Sequence, residues 1–559
     1  MNGKGSNHLG IDRTDQAGTP RIHADDQGTL TTRRSLLALA ATAPAALVAR
    51  SAIAEQSDEF AGAFGDQGND RRNRALQVRI QAAIAQRRRR VRRAETNDDE
   101  QALPSLVGNY SKGLPHDSLG EVDRSAYGAL LRAVTSADFA DFEAIPLGGT
   151  AKLVTPMAAF AFQLEGADSH ALRIRACPSF SSEEQAGEFA ELYWAALTRD
   201  VPFSLYGVDP LTTAAVADLR RFARFSDVTP ATLFRGETKG DRVGPYLSQF
   251  LWLNVPFGAT AISQKYRTTL AGDDHLVDYQ DWLAIQNGNP PTTVNQFDAT
   301  ARYIRNGRDL GEWVQRDFTY QAFVCAALIL LSFGPTAFDE TSPYRSSRTQ
   351  GGFVIFGAND TLAIVAKAAD CALKAAWYQK WPLHRRARPE AVAGCVHNHL
   401  LGRRRYPINS KLLSSPALSR TFELFGSYLL PQAYPQGSPL HPSYPAGHAT
   451  IGGACVTVLK ALFDESRPIP APKVAADDGL TLLDYTGETL TVGGELNKLA
   501  ANVGLGRDTA GIHWRSDGIE GLRLGEKVAL SILRDLKNTC VDYSAGFRLT
   551  LFDGSSVTI

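Results

Sequence analysis

Apolar side chains recur at helical spacing over much of the chain, which predicts a mainly α-helical protein. The segment 360–378 is apolar except for one narrow polar stripe, formed by Lys367, Asp370 and Lys374. Because only that stripe is polar, the predicted helix must be buried around nearly its whole circumference. The shorter apolar run at 322–331 predicts a second buried helix. Helices of this kind belong inside a bundle.

Local signals add a helix start and a hairpin to this pattern. Ser181 and Glu184 form a predicted capping box ahead of a helix whose apolar residues repeat on one face. Near the end of the chain, residues 547–552 and 555–559 flank an Asp-Gly pair, which predicts a β-hairpin. Strand signals are otherwise few. The predicted fold class is therefore mainly α, a large helical-bundle protein with minor β-hairpins.

A strongly basic segment precedes this body. Residues 71–93 carry ten arginines, with apolar positions at helical spacing, and predict an amphipathic helix with a basic face. A patch for nucleic acid or anionic lipid is one interpretation. A solvated face or a subunit contact is favoured, because acidic residues follow at 95–100 and the formal net charge of the chain is zero. We expect no nucleic-acid partner.

The first part of the chain resembles an export signal. Residues 31–54 read Thr-Thr-Arg-Arg-Ser-Leu-Leu, then an alanine-rich apolar run, then Ala-Ile-Ala, which predicts a twin-arginine signal and its cleavage site. A short buried helix after a chance Arg-Arg pair is the alternative. The predicted organisation is a signal region at 1–54, a basic helix and linker at 55–105, and a catalytic domain at 106–559. We expect a periplasmic or extracellular protein that is not integral to a membrane, since no apolar run reaches about 18 residues.

The cysteines do not form a recognisable framework. Six are scattered without CxxC spacing, so neither a zinc ribbon nor a dense disulfide network is predicted, while one or two disulfides remain open. Cys395, His397 and His399 lie close together and are a weaker alternative metal site.

Two stretches place cations beside predicted helix ends. Lys380 and Arg388 lie where the buried helix ends, with Pro382 between them preventing regular continuation. Arg507 and His513 precede a long C-terminal helix, and their spacing of six brings them near one face if the intervening turn is helical.

A third stretch, His-Pro-Ser-Tyr-Pro-Ala-Gly-His at 441–448, stands immediately before an apolar helix predicted at about 449–462. A helix N-terminus opened by Gly447 offers free backbone N–H groups and a positive dipole end, so an anion fits there. Together with the cations, His441 and His448 complete what a tetrahedral oxyanion needs for charge neutralisation. Three unrelated basic patches are the alternative interpretation.

In order and spacing, these stretches resemble the signature of the type 2 phosphatidic acid phosphatase and vanadium haloperoxidase superfamily. The seven residues between Lys380 and Arg388, and the form of the 441–448 stretch, resemble the red-algal and cyanobacterial bromoperoxidase branch. Further likeness at 112–117 and 161–201 extends the resemblance over about residues 106–540. It implies two helical bundles around one oxyanion site.

The resemblance implies vanadate as the cofactor. His513 would coordinate the vanadium through a ring nitrogen, and the backbone N–H of Gly447 would hydrogen-bond one vanadate oxygen. Three cationic side chains would hold the equatorial oxygens: Lys380, Arg388 and Arg507. A structural calcium ion is a further candidate cofactor.

The implied catalytic residues are three histidines. Besides His513, His448 would act as acid and base near the apical oxygen and assist peroxide binding. His441 matches a histidine associated with bromoperoxidases, so bromide and iodide are expected ahead of chloride. Ala446 departs from the family, which usually has serine there, and the missing hydroxyl removes a hydrogen bond of about 1–3 kcal/mol to the oxyanion.

The resulting hypothesis is a vanadium-dependent haloperoxidase that uses hydrogen peroxide to oxidise halide to hypohalous acid, which then reaches a small organic acceptor. The first alternative is an exported acid phosphatase, with His513 as the nucleophile of a phosphohistidine intermediate and His448 protonating the leaving group. The second is a non-catalytic shell or binding protein that has kept the pocket. A homo-oligomer is expected, because relatives form dimers or larger shells.

Overall fold

The computed structural model describes residues 61–91, 95–539 and 541–559. The chain divides into two units, Met1–Gln77 and Val78–Ile559. Of the first unit only residues 61–77 are described, and all of them are helical. The predicted export signal at 1–54 lies outside the described residues. The second unit contains everything that follows.

Helices dominate the described part of the chain, as the apolar periodicity predicts. The sixteen α-helices found there are α1 (Ala61–Arg88), α2 (Asp99–Ala102), α3 (Arg124–Ser136), α4 (Phe139–Glu143), α5 (Glu183–Leu197), α6 (Pro210–Leu219), α7 (Tyr279–Gln286), α8 (Gly307–Arg316), α9 (Gln321–Ser332), α10 (Ala358–Tyr378), α11 (Pro389–Leu400), α12 (Ser410–Leu413), α13 (Pro416–Phe425), α14 (Gly447–Leu462), α15 (Val492–Thr509) and α16 (Arg515–Lys537).

Strands are confined to three short antiparallel hairpins in the same residues. They pair β1 (Val255–Phe257) with β2 (Thr260–Ile262), β3 (Lys473–Ala475) with β4 (Leu482–Asp484), and β5 (Arg548–Thr550) with β6 (Ser556–Thr558). The last pair is the predicted C-terminal hairpin, shorter at both ends than the apolar pattern indicated. The prediction of a mainly helical protein with minor hairpins is confirmed.

The core is centred on α14, which packs against α10, α15 and α16. Every residue of α14 except His448 is buried. Glycines permit the close crossing of α14 and α16, because a Cβ at Gly525 would lie 2.0 Å from the Thr450 carbonyl oxygen and one at Gly453 would lie 2.2 Å from that of Leu522. This crossing holds the start of α14 near the start of α16, where two of the predicted site stretches lie.

The long apolar helix α10 agrees with its sequence pattern, since Asp370 is largely exposed and Lys367 and Lys374 are partly exposed. After Tyr378 the chain widens into a π-helical turn, Gln379–His384, that contains Pro382. Proline lacks an N–H and crowds the preceding turn, so a regular α-helix cannot continue through it. Such π turns are frequent at functional sites.

Two predicted boundaries are corrected. The cap of α5 is Ser182, whose hydroxyl accepts from the Gln185 N–H at 3.1 Å, and not Ser181 one residue earlier. Both serines begin a pattern that satisfies a capping box, so only the backbone geometry distinguishes them. The basic helix α1 begins before the predicted segment 71–93 and ends within it, at Arg88.

The structure also bears on the predicted disulfides and on membrane-spanning helices. The five cysteines among the described residues are all free thiols, and Cys540 lies outside that set. No described helix combines the length and apolar character needed to cross a membrane.

Candidate active site

The predicted site residues come from six places in the fold. Lys380 lies in the π turn, Arg388 caps α11, and Arg507 lies in the last turn of α15. His441 precedes α14, and His513 lies in the short connection between α15 and α16. Gly447 and His448 are the first two residues of α14. All are buried except His448, whose side chain is 14% exposed.

Arg388 connects two of the histidines directly. Its Nη1 donates to His513 Nε2 at 2.8 Å, and its Nη2 donates to His441 Nδ1 at 2.9 Å. The Nε of the same guanidinium donates to the His441 carbonyl oxygen at 3.0 Å. The His441 ring also packs against Trp377, with ring centroids 4.7 Å apart. The 380–388 and 507–513 stretches therefore meet at one guanidinium, with His441 of the 441–448 stretch beside them.

Lys380 is fully buried and holds the 441–448 stretch in place. Its Nζ donates to the carbonyl oxygens of Pro442 and Ser443 at 2.6 and 2.7 Å. These contacts bring the π turn to the segment that leads into α14. The predicted convergence of the three stretches is present in the structure.

His513 is oriented by Asp517, a residue that the sequence analysis did not select. His513 Nδ1 lies 2.8 Å from Asp517 Oδ2, one helical turn along the chain. Asp517 also accepts from the Ser443 hydroxyl and, at 2.8 Å, from Arg386 Nη1. With the Nδ1 proton held by the carboxylate, the lone pair of His513 lies on Nε2, the nitrogen that faces Arg388. An acidic residue at position i+4 in the first turn of α16 was the available signal.

Asp317 plays a comparable part for His448. Its Oδ1 lies 2.9 Å from His448 Nε2, and its side chain is 1% exposed. Asp317 follows α8, far from His448 in sequence, and no motif marks it. Only the fold pairs these two residues.

The site concentrates three cationic side chains with which no carboxylate pairs directly in the described part of the chain. Among the described residues, no Asp or Glu oxygen lies within ion-pair distance of Lys380, Arg388 or Arg507. Burial, followed by the positive charge of Arg388, holds the pKa of Lys380 well below its usual value. Burial likewise lowers the pKa of Arg388 to about 10. The Nε of Arg507 is buried without a hydrogen-bond partner.

The histidines respond to the same environment. Burial, then the Arg388 and Lys380 charges, hold the pKa values of His513 and His441 well below the usual value. Burial also lowers the pKa of His448, although Asp317 acts in the opposite direction. All three rings are consequently neutral near pH 7, which leaves each with one nitrogen lone pair.

These residues fit vanadate. Buried cations without counter-ions are costly, and an anion with several charged oxygens would offset that cost. Ala446 caps α14 without a side-chain hydrogen bond, so the first N–H groups of the helix remain as donors at its positive end. His513 Nε2 adds a neutral imidazole ligand held by a carboxylate.

The route that brings Arg507 near His513 differs from the helical turn expected from their spacing. Helix α15 ends at Thr509, and Gly511 reverses the chain with φ of 85°, a conformation that favours glycine. The Ile512 N–H then donates back to the Arg507 carbonyl oxygen at 3.2 Å. A helix C-terminal turn therefore brings the two residues together.

The alternative metal site at Cys395, His397 and His399 is not supported. These residues lie on α11, where His397 Nδ1 accepts from the Tyr428 N–H and His399 Nδ1 from the Tyr406 N–H. Within the described ranges, no group of three or more His, Cys, Asp or Glu side chains is placed to hold a metal ion.

A helical bundle that buries three cations without direct carboxylate partners, beside three histidines at a helix N-terminus, defines an oxyanion-binding protein. A family model described as the VCPO second helical-bundle domain matches residues 360–540. The vanadium-dependent bromoperoxidase of Ascophyllum nodosum is 36% identical over 523 residues, covering 88% of this chain and 93% of the relative. That of Corallina pilulifera is 33% identical over 556 residues, covering 83% and 92%.

A solved structure agrees with these relatives. The homohexameric second vanadate-dependent bromoperoxidase of Ascophyllum nodosum superimposes with a TM-score of 0.81 at 30% identity, covering 87% of this chain and 90% of that one. The chain belongs to the vanadium-dependent haloperoxidase family. It is a haloperoxidase.

Proposed function

We propose that this haloperoxidase uses hydrogen peroxide to oxidise bromide and iodide in preference to chloride. The observation that supports this proposal is the unneutralised cluster of Lys380, Arg388 and Arg507 around the neutral ring of His513. His441, within 2.9 Å of Arg388, is the residue that favours the heavier halides. The immediate product is hypohalous acid, which then reaches a small organic acceptor.

In this proposal four groups hold the cofactor through its oxygens and one holds the metal. The side chains of Lys380, Arg388 and Arg507 and the Gly447 N–H would donate to the oxygens of bound vanadate. His513 Nε2 would be the vanadium ligand, with Asp517 fixing its tautomer. Bound vanadate supplies a Lewis acid that activates hydrogen peroxide for two-electron oxidation of halide.

His448 moves the proton that peroxide must lose. Asp317 accepts from His448 Nε2–H in the neutral ring, which leaves Nδ1 as the nitrogen that takes up a proton. The depressed pKa of His448 keeps this nitrogen unprotonated near pH 7. Asp317 then stabilises the imidazolium that forms, so it acts as a positioning residue.

The heavier halides suit a site that is buried and positively charged. Burying a halide ion removes its hydration shell, which costs least for the largest and most polarisable ions. The Arg388 guanidinium, which hydrogen-bonds the His441 ring, provides charge without a carboxylate competitor within ion-pair distance in the described chain. Bromide and iodide are therefore favoured over chloride.

Restoring the family serine at position 446 is expected to strengthen vanadate binding. In Ala446→Ser, a hydroxyl at the cap of α14 would donate to the charged oxyanion, worth about 1–3 kcal/mol, or roughly 5- to 150-fold in affinity. Equilibrium dialysis of vanadate against both proteins measures this change. Ala417→Ser, at a buried position of α13 away from the site, is the matched control. An unchanged or weaker vanadate affinity in Ala446→Ser would contradict the assignment of this position.

One pair of assays tests the proposed activity. Purified protein is incubated with orthovanadate, hydrogen peroxide and each halide in turn, and in parallel with a phosphate ester in the absence of vanadate. We expect halogenation that is fastest with iodide and bromide. Ester hydrolysis without halogenation would instead identify a phosphatase that uses His513 as nucleophile. Vanadate binding without turnover in either assay would identify a non-catalytic binding protein.

Assembly and cellular location complete the proposal. The homohexameric relative supports a homo-oligomer, which light scattering of the purified protein would measure. The Arg-Arg motif and Ala-Ile-Ala sequence within 31–54 support twin-arginine export to the periplasm or beyond. N-terminal sequencing of exported protein checks this, and retention of Met1 would contradict it. Structural calcium stays a prediction to which no residues are assigned.

A further inference from the structure

A cavity of about 840 Å³ lies beside the candidate active site, and the two share Asp317. Asp317 lines the cavity, and its Oδ1 is the partner of His448 Nε2. The volume lies within the range typical of pockets for small organic molecules. A molecule held there would be adjacent to the residue pair that serves the reaction.

The walls of the cavity suit a flat, apolar molecule. One side is a face of α9 on which Val324, Cys325 and Leu328 are only partly buried. Towards solvent, Phe257 and Phe318 also line the cavity and remain 56% and 55% exposed. Aromatic side chains of this kind pack well against an aromatic ring in stacked or edge-to-face geometry.

The charged side chains of the cavity favour an aromatic molecule that carries a negative charge. Lys265, Arg267 and Arg316 line it, and Arg316 is paired with Glu312. In the part of the chain that the structure describes, no carboxylate lies within ion-pair distance of Lys265 or Arg267. The Arg267 Nε donates to the Asp298 carbonyl oxygen, and its terminal nitrogens make no hydrogen bond to a described residue. These two cations are complementary to an anionic substituent.

We propose that this cavity binds the organic acceptor and that the acceptor is an aromatic anion, of the hydroxybenzoate class. The ring would pack between α9 and Phe318, while its carboxylate would face Arg267. This inference rests on the proposed function, which supplies hypohalous acid at the neighbouring site. A π-electron pair of the ring then forms the carbon–halogen bond, the oxygen–halogen bond breaks, and the oxygen leaves as hydroxide, which takes the displaced ring proton as water.

Product ratios test the proposal. An equimolar mixture of 4-hydroxybenzoate and neutral 4-hydroxybenzyl alcohol is brominated by the vanadate-loaded enzyme with bromide and peroxide, and separately by reagent hypobromite at the same pH. Reagent hypobromite gives the intrinsic reactivity of the two rings. We expect the enzyme to enrich the brominated anion about five-fold over that reference, since a partly exposed charge pair contributes at this level. An enzyme ratio equal to the reagent ratio would overturn the proposal.

Matched variants locate the effect. Arg267→Gln and Phe318→Ala should return the product ratio to the reagent value, whereas Arg348→Gln, which removes an exposed arginine outside the cavity, should retain the enrichment. Enrichment that survives both cavity variants would exclude this cavity as the binding site. If Phe318→Ala alters the mass of the assembly without altering the ratio, the face is a contact between copies and the proposal fails.

A binding measurement separates this inference from the proposed function. Calorimetric titration of 4-hydroxybenzoate requires no turnover, and we expect binding that Arg267→Gln weakens about five-fold. Such binding in a protein that oxidises no halide would support the cavity while refuting the proposed reaction. Bromide oxidation by a protein that shows no 4-hydroxybenzoate binding would refute the cavity while leaving the reaction intact.

Discussion

The variant His513→Ala is expected to lose vanadate binding and to lower bromide oxidation by more than about 100-fold. Removing even a hydrogen-bond partner of a metal ligand commonly costs 10- to 100-fold in affinity or activity, and His513 is the proposed ligand itself. Its Nε2 carries the lone pair of a neutral ring. Asp517 fixes the orientation of that ring, and Nε2 faces Arg388 of the cationic cluster. Equilibrium dialysis of vanadate and the rate of bromide oxidation measure the two losses.

The matched control for this variant is His397→Ala. His397 is also a buried histidine that accepts a backbone N–H, but it lies on α11 and takes no part in the site. We expect its replacement to lower the melting temperature while activity per folded molecule is retained. Vanadate affinity in His513→Ala within ten-fold of the parent protein would refute the assignment of the metal ligand.

The variant Lys380→Met is expected to stabilise the anion-free protein while weakening its anion binding. The Lys380 ammonium is fully buried with no carboxylate in range among the described residues, so an apolar side chain of similar length removes a desolvation cost. Replacing a buried ion pair with well-packed apolar groups is often neutral or stabilises by about 1–4 kcal/mol, and we expect the same sign for Lys380, whose removal leaves no paired carboxylate behind. Loss of one charged hydrogen bond to the anion should weaken vanadate binding roughly 10- to 150-fold.

Lys112→Met is the control with the opposite expected sign. Lys112 is equally buried, but its Nζ lies 2.5 Å from Glu390 Oε1. Its removal leaves a buried carboxylate without its partner and should cost about 3–5 kcal/mol. Thermal unfolding in the absence and presence of vanadate measures both variants. If Lys380→Met destabilises the anion-free protein as strongly as Lys112→Met, Lys380 has a charged partner and the description of the cationic cluster is wrong.

The pKa of Lys380 adds a pH dependence to this prediction. Because the pKa is lower in the folded protein than in the unfolded chain, the unfolded chain holds a proton that the folded protein releases. The buried Lys380 charge therefore destabilises the folded protein fully at pH values below the folded-state pKa of Lys380. This destabilisation disappears as the pH rises towards the unfolded-state pKa. The anion-free parent protein should therefore gain stability relative to Lys380→Met as pH is raised through this window. Unfolding midpoints of the two proteins across a pH series measure the difference.

Much of the fold could be predicted from the chain alone because helix periodicity is a local property. The single polar stripe of α10 and the apolar run of α9 agree with the observed helices. Boundaries were less well determined, as the displacement of the α5 cap from Ser181 to Ser182 shows. Where two neighbouring residues both satisfy a capping pattern, packing of the helix decides which of them becomes the cap.

Some residues of the candidate site could also be predicted from the sequence, while others could not. Lys380, Arg388, Gly447 and His513 could be selected in advance, because their chemistry stands in short stretches with recognisable spacing. Asp317 could not, since it contacts His448 from a distant part of the chain and belongs to no motif. The aromatic cavity that shares Asp317 could not be predicted either, because its walls come from segments that are far apart in sequence.

The sequence by itself therefore determined that this protein is helical and that its three motifs can neutralise an oxyanion. Helix periodicity and side-chain charge are both properties of short stretches of sequence. Only the tertiary structure decided that those cations lack carboxylate partners within the described chain, and that Asp517 and Asp317 orient the two histidines. Neutralisation and orientation depend on distances between residues remote in the chain. Those distances are set when glycine-mediated crossing of α14 and α16 brings the helix starts together.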